Sequence, residues 1–454
     1  MSYRGGQAVF GGGGAGRGPT MSVRIVCGMV VTLLASPAIR AIPSPSKYAS
    51  PTLPIPTTSP RPDRAAGPDP TTTGSSGQRF SQAHFQFTLD LYGALVNKSS
   101  HPNANVLFSP VGVAAALSPL LHISDADVTQ QIRQVLRYSN MTTGEIEEGH
   151  TAMIDNLADA YYDKDLRLAY TLFVQQGSSS AQSTSGLYPA GKTREVDFHN
   201  NGTEVLRGIN QWVARETDDL VGAPLAEAPT AQMDALALVV VYFSGRWLHK
   251  FDRNLTFDKG LFFITSEERF EIPMMVGRLE LPLGYSADLE VRILELPFVA
   301  RRLSMFILLP DHPDHGLASL ERNITSDNIK ALFSTLKDER VNLRVPRFRV
   351  DVVPPLQDAL VSLGLTSIFP TTLDTHPSLL LHDVLHRAVC EVVEDGEDWS
   401  PALASGGDQV GTFGDKYFEV DHPFIFFLWD YIGSSVLFMG RVVTPDPIIL
   451  TPHN

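Results

Sequence analysis

The sequence predicts an α+β domain, and three observations support this prediction. Apolar residues recur at helical spacing in the first half of the 454-residue chain, whereas the second half contains short apolar runs typical of strands. The chain is 43% hydrophobic, which is enough to build a large core. The sequence has no internal repeat, and helical and strand patterns intermingle too closely in the second half to divide the chain into two domains.

The first 80 residues are predicted to lie outside this domain. Residues 1–41 are interpreted as a leader and signal peptide, because Arg24 precedes an apolar run at Ile25–Ala35 that small residues follow. Met21 is an alternative start within this region. The apolar run is too short to cross a bilayer, so no membrane span is expected. Residues 42–80 are rich in Pro, Ser, Thr and Gly, which predicts a disordered arm.

The first half of the domain is predicted to be helical. A helical apolar face begins at Phe85. Residues 111–121 form an apolar helix, introduced by Ser109 and Pro110 with proline inside its first turn. Residues 125–136 have the pattern of an amphipathic helix. Further helical patterning places three apolar residues on one face, namely Ile209, Trp212 and Val213.

The second half is predicted to form strands. Residues 235–243 are an unbroken apolar run, as expected of a central strand that is buried on both faces. Further strands are predicted at 291–296, 303–309, 341–350, 424–428 and 435–443, with a helix at 355–363. The domain is expected to cover residues 81–447, and residues 448–454 to form a short tail.

Composition and motifs exclude several classes of function. The net charge of −14 argues against a nucleic-acid binder, because phosphate affinity requires clustered basic residues. The chain contains no metal-ligand cluster, phosphate loop or nucleophile motif, so we expect neither an enzyme nor a cofactor. Basic residues cluster at Arg133 and Arg137 and again at Arg344, Arg347 and Arg349. Solvated strand edges explain the second cluster better than a glycosaminoglycan site, for which the signal is weak.

Cysteines and sequons fit a secreted glycoprotein. Cys27 would leave with the signal peptide, and Cys390 alternates with apolar neighbours, which predicts a buried and unreactive thiol. Five N-x-S/T sequons are predicted glycosylation sites: Asn97, Asn140, Asn201, Asn254 and Asn323. We therefore expect an extracellular protein.

The segment from 386 to 420 is the strongest candidate for function. A strand pattern at 388–393 ends in the acidic turn formed by Glu394, Asp395 and Gly396. A long polar segment follows before the next apolar strand. Long segments without structure of their own are uncommon inside domains and are usually functional. Because strands flank this segment, we expect anchored ends and an exposed middle.

Several motifs, in order along the chain, resemble the serpin family. They are N-V-L-F-S-P-V-G-V-A-A-A-L (105–117), V-Y-F-S-G-R-W-L-H-K-F-D (241–252), V-P-R-F-R-V (345–350), H-R-A-V-C-E-V-V-E-D-G (386–396) and D-H-P-F-I-F-F-L (421–428). The resemblance implies three β-sheets with about nine helices and an exposed reactive-centre loop from Gly396 to about Val420. Most members inhibit serine or cysteine proteases, and the cleaved loop inserts into the main sheet.

The hinge of this loop departs from the inhibitory pattern, which has small uncharged residues. Here Glu397, Asp398, Trp399 and Pro401 follow Gly396. Burying Glu397 without a partner costs several kcal/mol. Trp399 exceeds the volume that a small residue leaves, and Pro401 does not belong in a central strand because it has no N–H. The sequence therefore predicts a serpin that has lost inhibition.

This prediction implies a secreted monomer that binds an extracellular receptor or matrix ligand and meets proteases only as a substrate. Within the family, the chain is similar to the secreted, non-inhibitory branch of pigment epithelium-derived factor. Two alternatives remain open. An inhibitor of an elastase- or chymotrypsin-like serine protease would be cleaved in the region of Val410, Gly411, Thr412 and Phe413. A peptide-hormone precursor like angiotensinogen ranks lower, because Ala65 follows the Asp-Arg pair in the arm.

Two positions match the residues of the family's shutter, where the main sheet opens. They are Ser109 and His386. Gly112 and Val239 stand where the family usually has Ser and Asn. This loss of polar partners suggests a shutter under different constraints, although ordinary drift with an apolar replacement explains it equally well.

Overall fold

The computed structural model describes residues 75–99, 101–157, 165–184, 192–369, 381–396 and 415–448. Helices cover two sheets in this part of the chain, which confirms the α+β class. The predicted leader and signal peptide, most of the arm and most of the C-terminal tail lie outside the described residues. Among the described residues, no helix combines the length and the apolar character that a membrane span requires.

The described residues form nine α-helices. They are α1 (Ser75–Lys98), α2 (Pro110–Leu117), α3 (Ala126–Val135), α4 (Thr143–Leu157), α5 (Ser179–Thr184), α6 (Gly202–Glu216), α7 (Gly316–Asn323), α8 (Ser326–Ser334) and α9 (Leu356–Ser362). The first helix begins inside the segment predicted as an arm. The helix predicted at 111–121 ends at Leu117, and a 3-10 helix follows at Ser118–His122. Pro119 has no backbone N–H with which to continue the α-helix.

The strands are β1 (Val106–Phe108), β2 (Leu166–Gln175), β3 (Thr193–Val196), β4 (Ala235–Phe243), β5 (Phe257–Phe263), β6 (Arg269–Ser286), β7 (Val291–Pro297), β8 (Leu303–Pro310), β9 (Lys337–Pro346), β10 (Phe348–Val352), β11 (Asp383–Val392), β12 (Lys416–Glu419), β13 (Phe424–Asp430), β14 (Ser435–Val442) and β15 (Asp446–Pro447). The strand predicted at 341–350 is two strands, β9 and β10, separated at Arg347. The Arg347 N–H donates to Pro273 O of β6 at 2.8 Å, which continues the pairing of β6 with β9 one residue past Pro346.

The six-stranded sheet has the order β15-β10-β11-β4-β2-β3. Its central strands β4 and β11 are parallel, with Leu236 opposite Asp383 at one end and Phe243 opposite Cys390 at the other. The outer neighbours β2 and β10 run antiparallel to β4 and β11, respectively. One parallel pair therefore lies between two antiparallel pairs.

The other sheet has nine strands, in the order β1-β14-β13-β8-β7-β6-β9-β12, with β5 also paired to β6. The resemblance implied three sheets, but the described strands form two. The long strand β6 accounts for the difference, because it pairs with β5 over its first part and with β9 and β7 over the rest. At the opposite edge, β1 near the start of the domain pairs with β14 near its end, with Val106 opposite Arg441.

The strand β4 is buried on both faces, as its unbroken apolar sequence predicts. Alternate residues, including Val239 and Val241, belong to the main core with α1 and α2. The intervening residues belong to a second core beneath α6, in which Trp212 meets the ring of Phe173 edge-to-face at 5.8 Å. Any strand placed beside β4 at this level thus enters a layer that is covered on both sides.

Candidate functional site

The hinge after β11 is fastened to the segment that follows β4. The Trp247 N–H donates to Asp395 O at 2.9 Å, and its indole Nε1–H donates to Val393 O at 2.6 Å. The Trp247 ring stacks on Phe298 at 4.4 Å between centroids, which fixes the position of the indole. A Cβ on Gly396 would lie 2.5 Å from Trp247 O, so only glycine permits this close approach.

The Glu394 carboxylate anchors the hinge from below. Its side chain is 1% exposed, and Oε1 accepts from Arg347 at 2.7 Å and from the Thr256 hydroxyl at 2.8 Å. Arg347 also donates through Nε to Ile448 O at 2.8 Å, which ties the end of the chain to the same point. A buried carboxylate of this kind depends on its cation, because an unpaired buried charge is strongly destabilising.

The structure describes some of the predicted hinge residues, whereas others lie outside the described residues. Glu394 and Gly396 are held as described above, and Asp395 is exposed and paired with Arg253 at 2.8 Å. The other predicted hinge residues are Glu397, Asp398, Trp399 and Pro401, and they lie outside the described residues. The predicted scissile region does so as well: Val410, Gly411, Thr412 and Phe413.

The undescribed segment 397–414 connects the two sheets. It follows Gly396, four residues after the end of β11 in the six-stranded sheet, and the described structure resumes at Asp415, just before β12. The strand β12 pairs with β9 at the edge of the nine-stranded sheet. Both ends are thus anchored, as predicted. A segment that turned back beside β11 would run antiparallel to β11 and also to β4, since these two strands are parallel.

The residues predicted to form the shutter lie together beneath the middle of β4 and β11. The Ser109 N–H donates to His386 Nε2 at 2.9 Å, so Nδ1 carries the proton and donates to Val239 O at 3.0 Å. Ser109 Oγ accepts from the Gly112 N–H at 3.2 Å and caps α2. His386 is fully buried, and burial lowers its pKa to about 4.

The two unusual shutter residues fit each other sterically. A Cβ on Gly112 would lie 2.8 Å from Val239 Cγ1 and 3.2 Å from Leu168 Cδ1. The Val239 side chain thus fills the space that a side chain at position 112 would need. Glycine at position 112 and valine at position 239 are thus matched by packing.

A family model described as serpin, serine protease inhibitor, matches residues 82–445. The chain belongs to the serpin family. It is 28% identical over 383 residues to leukocyte elastase inhibitor of Bos taurus, covering 81% of this chain and all of that protein. It is 28% identical over 392 residues to serpin B3 of Homo sapiens, covering 80% and 99%. A crystal structure of maspin superposes with a TM-score of 0.70 at 26% identity, covering 82% of this chain and 100% of maspin.

Arginines of the two basic clusters, for which the glycosaminoglycan signal was weak, pair with acceptors of this serpin itself. Arg137 pairs with Asp90 at 2.6 Å, and Arg344 pairs with Glu419 at 2.9 Å. Arg349 pairs with Asp351 at 3.0 Å and with Glu391, and it donates to Leu220 O at 3.3 Å. Arg347 is only 5% exposed, so the prediction of a solvated strand edge is wrong for this residue.

The predicted free thiol and the predicted sequon asparagines occupy the environments expected of them. Cys390 is a buried free thiol, and burial raises its pKa well above the usual range. No group of three or more His, Cys, Asp or Glu able to hold a metal occurs in the described ranges. The sequon asparagines are all exposed: Asn97, Asn140, Asn201, Asn254 and Asn323.

Sequence reasoning missed three residues that hold the hinge, namely Trp247, Thr256 and Arg347. Their partners at 393 and 394 lie between 47 and 146 positions away in the sequence. No local pattern indicates such pairings. The one available signal was Arg347 itself, a cation inside an apolar strand pattern, which requires a buried partner if it does not reach solvent.

Proposed function

We propose that this serpin engages a serine protease through the segment 397–414, with cleavage in the region 410–413. Two relatives that are similar over the whole domain carry the name leukocyte elastase inhibitor. Val410 and Thr412 would suit an elastase-like protease, which favours small or β-branched side chains. The observation that carries the proposal is that β4 and β11 are paired directly with each other, with the hinge at the end of β11 hydrogen-bonded to Trp247.

The pairing of β4 with β11 allows a cleaved loop to insert between them as a new strand. A cleaved loop that turned back between β4 and β11 would replace one parallel pair by two antiparallel pairs, which are slightly more stable per residue. To enter, the chain must leave Trp247 at Asp395 and Gly396. Inhibition requires this insertion to be faster than hydrolysis of the acyl-enzyme, so each kcal/mol in the insertion barrier changes the outcome several-fold.

A second candidate function, a non-inhibitory serpin, is favoured by one specific observation. Both faces of β4 are covered, by the main core and by α6. Glu397, Trp399 and Pro401 would therefore meet a covered layer whichever face they took. Such a protein would be cleaved without trapping the protease and would act by binding an extracellular receptor or matrix ligand. The likeness to the pigment epithelium-derived factor branch belongs to this candidate.

Denaturing gels distinguish the two functions. The protein is incubated with a panel of elastase- and chymotrypsin-like proteases, with active-site-blocked proteases as controls. A detergent-stable complex with the unmodified protein supports inhibition. The matched variant carries Glu397→Thr, Trp399→Ala and Pro401→Ala, which gives a hinge of small residues. If only this variant forms the complex, the protein is non-inhibitory and the hinge is the reason. If no protease cleaves between 397 and 414, the proposed engagement is wrong.

We also propose that the protein is secreted, as a glycosylated monomer. The signal-like segment before Ala41 and the exposure of five sequons support this proposal. Expression of the full chain in a secretory cell line tests it. Protein in the medium whose N-terminus lies near Ala38 or Ala41 is expected, and retention of the intact N-terminus inside the cell would contradict the proposal.

A further inference from the structure

One sequon lies beside the hinge. Asn254, Leu255 and Thr256 follow the segment that holds Asp395 and Gly396. The hydroxyl of Thr256, which completes the sequon, donates to the buried Glu394 carboxylate at 2.8 Å. A residue required for glycosylation is thus also a hinge residue in the folded chain.

This double use distinguishes Asn254 from three of the four other sequons. The hydroxyls of Ser99, Thr142 and Thr325 bond to groups only two or three positions away. Thr256 bonds to a residue 138 positions away, a contact that exists only after folding. Before folding, its hydroxyl is free for the transferase. After folding, Glu394 engages it.

The surface around Asn254 is apolar as well as exposed. Leu255 and Phe257, within three positions of the asparagine, are 43% and 61% exposed. Asn254 itself is exposed and lies in a 3-10 helix capped by Asp252, whose carboxylate accepts from the Asn254 backbone and amide at 2.9 Å. Exposed aromatic faces pack against the C–H faces of sugars, and bare apolar surface promotes association.

We propose that Asn254 carries an N-linked glycan that covers Leu255 and Phe257 beside the hinge, attached before Thr256 closes on Glu394. In the transfer, the Asn254 amide nitrogen bonds to C1 of the sugar and loses a proton. The bond from C1 to the phosphate oxygen of the lipid-pyrophosphate donor breaks, and the lipid pyrophosphate leaves. The proposal rests on the proposed secretion of the chain.

Site-by-site mass spectrometry of the secreted full-length protein tests the attachment. We expect Asn254 to be occupied. If none of the five sequons carries a glycan, secretion through the glycosylating pathway is wrong and this proposal falls with it. If other sequons are occupied and Asn254 is bare, only this proposal is overturned. Purified transferase should modify an unfolded peptide covering 250–260 and leave the folded, unglycosylated protein unmodified at Asn254, and modification of the folded protein would overturn the stated order.

Three variants separate the glycan from the hinge bond. Asn254→Gln removes the glycan and leaves the Thr256 hydroxyl, Thr256→Ser keeps both, and Thr256→Val removes both. Binding of an apolar dye and self-association in sedimentation should rise in Asn254→Gln and remain unchanged in Thr256→Ser. Enzymatic removal of the glycan from the folded wild-type protein should give the same rise without any effect on folding. Unchanged dye binding after loss of the glycan would overturn the covering role.

Discussion

The fit between Gly112 and Val239 can be tested by a double-mutant cycle. Gly112→Ala places a Cβ 2.8 Å from Val239 Cγ1, well inside van der Waals contact. Overpacking of this kind costs about 1–3 kcal/mol, and alanine in a helix gains about 1 kcal/mol over glycine. We therefore expect Gly112→Ala to lower the free energy of unfolding by about 1 kcal/mol.

The second arm of the cycle relieves the contact. Val239→Ala should cost about 2 kcal/mol, because it removes two buried methyl groups and leaves a cavity. The double variant should cost less than the sum, since the new methyl at position 112 occupies part of that cavity. The expected coupling energy is about 1–2 kcal/mol.

Denaturant unfolding followed by circular dichroism measures all four corners of the cycle. Gly208→Ala in α6 is the matched control, because nothing lies within 4 Å of its Cβ position. This control should be neutral or stabilising by up to about 1 kcal/mol, and it should add to Val239→Ala without coupling. If Gly112→Ala and Val239→Ala are additive within about 0.5 kcal/mol, Val239 is not the reason for glycine at position 112.

Three further predictions concern the shutter and the hinge. Burial lowers the pKa of His386 from 6.5 to about 4, so the imidazole binds a proton more readily in the unfolded chain than in the folded one. The free energy of unfolding should therefore fall by about 3 kcal/mol as the pH falls from 6.5 to about 4. Urea unfolding near pH 7 and near pH 4 measures this difference in unfolding free energy, which should be smaller for His386→Gln than for the unmodified protein. An equal difference in the two proteins would contradict the assignment of the effect to His386. Arg347→Met should lower the free energy of unfolding by about 3–5 kcal/mol, measured by thermal unfolding, because the Glu394 carboxylate stays buried without its cation. The double variant with Glu394→Gln should regain most of this stability. Trp247→Phe should lower the free energy of unfolding by about 1 kcal/mol, because the hydrogen bond to Val393 O is lost. The rate of limited proteolysis at the hinge should rise, and an unchanged rate would argue against Trp247 as the residue that holds the hinge.

Elements with strong local patterns were predictable from the sequence. The boundaries of β4 agree to the residue, because it is an unbroken apolar run between Asp234 and Ser244. Those of β8 and β14 agree within one residue. The strand β6 escaped notice. Pro273 and Pro282 interrupt its pattern, and its residues alternate irregularly between buried and exposed.

The site was predictable in position and not in its contacts. The acidic turn at Glu394 marked the hinge, and the polar segment after it marked the loop. What holds the hinge is a set of contacts between distant segments, to which Trp247, Thr256 and Arg347 each contribute one side chain. Arg347 also lies at the break between β9 and β10, and its side-chain partners at 394 and 448 are equally distant in the sequence.

The pairing of β1 with β14 has a consequence for biosynthesis. Residues 106–108 are synthesised more than 300 residues before their partners at 439–441. Until β14 is made, β1 has no partner in the nine-stranded sheet, and β13 can pair on one side only, with β8. Chains with such long-range pairings fold slowly and expose aggregation-prone surface during synthesis. Translation that stops before residue 435 should therefore yield no partly working serpin, only a nascent chain for chaperones and proteases to handle.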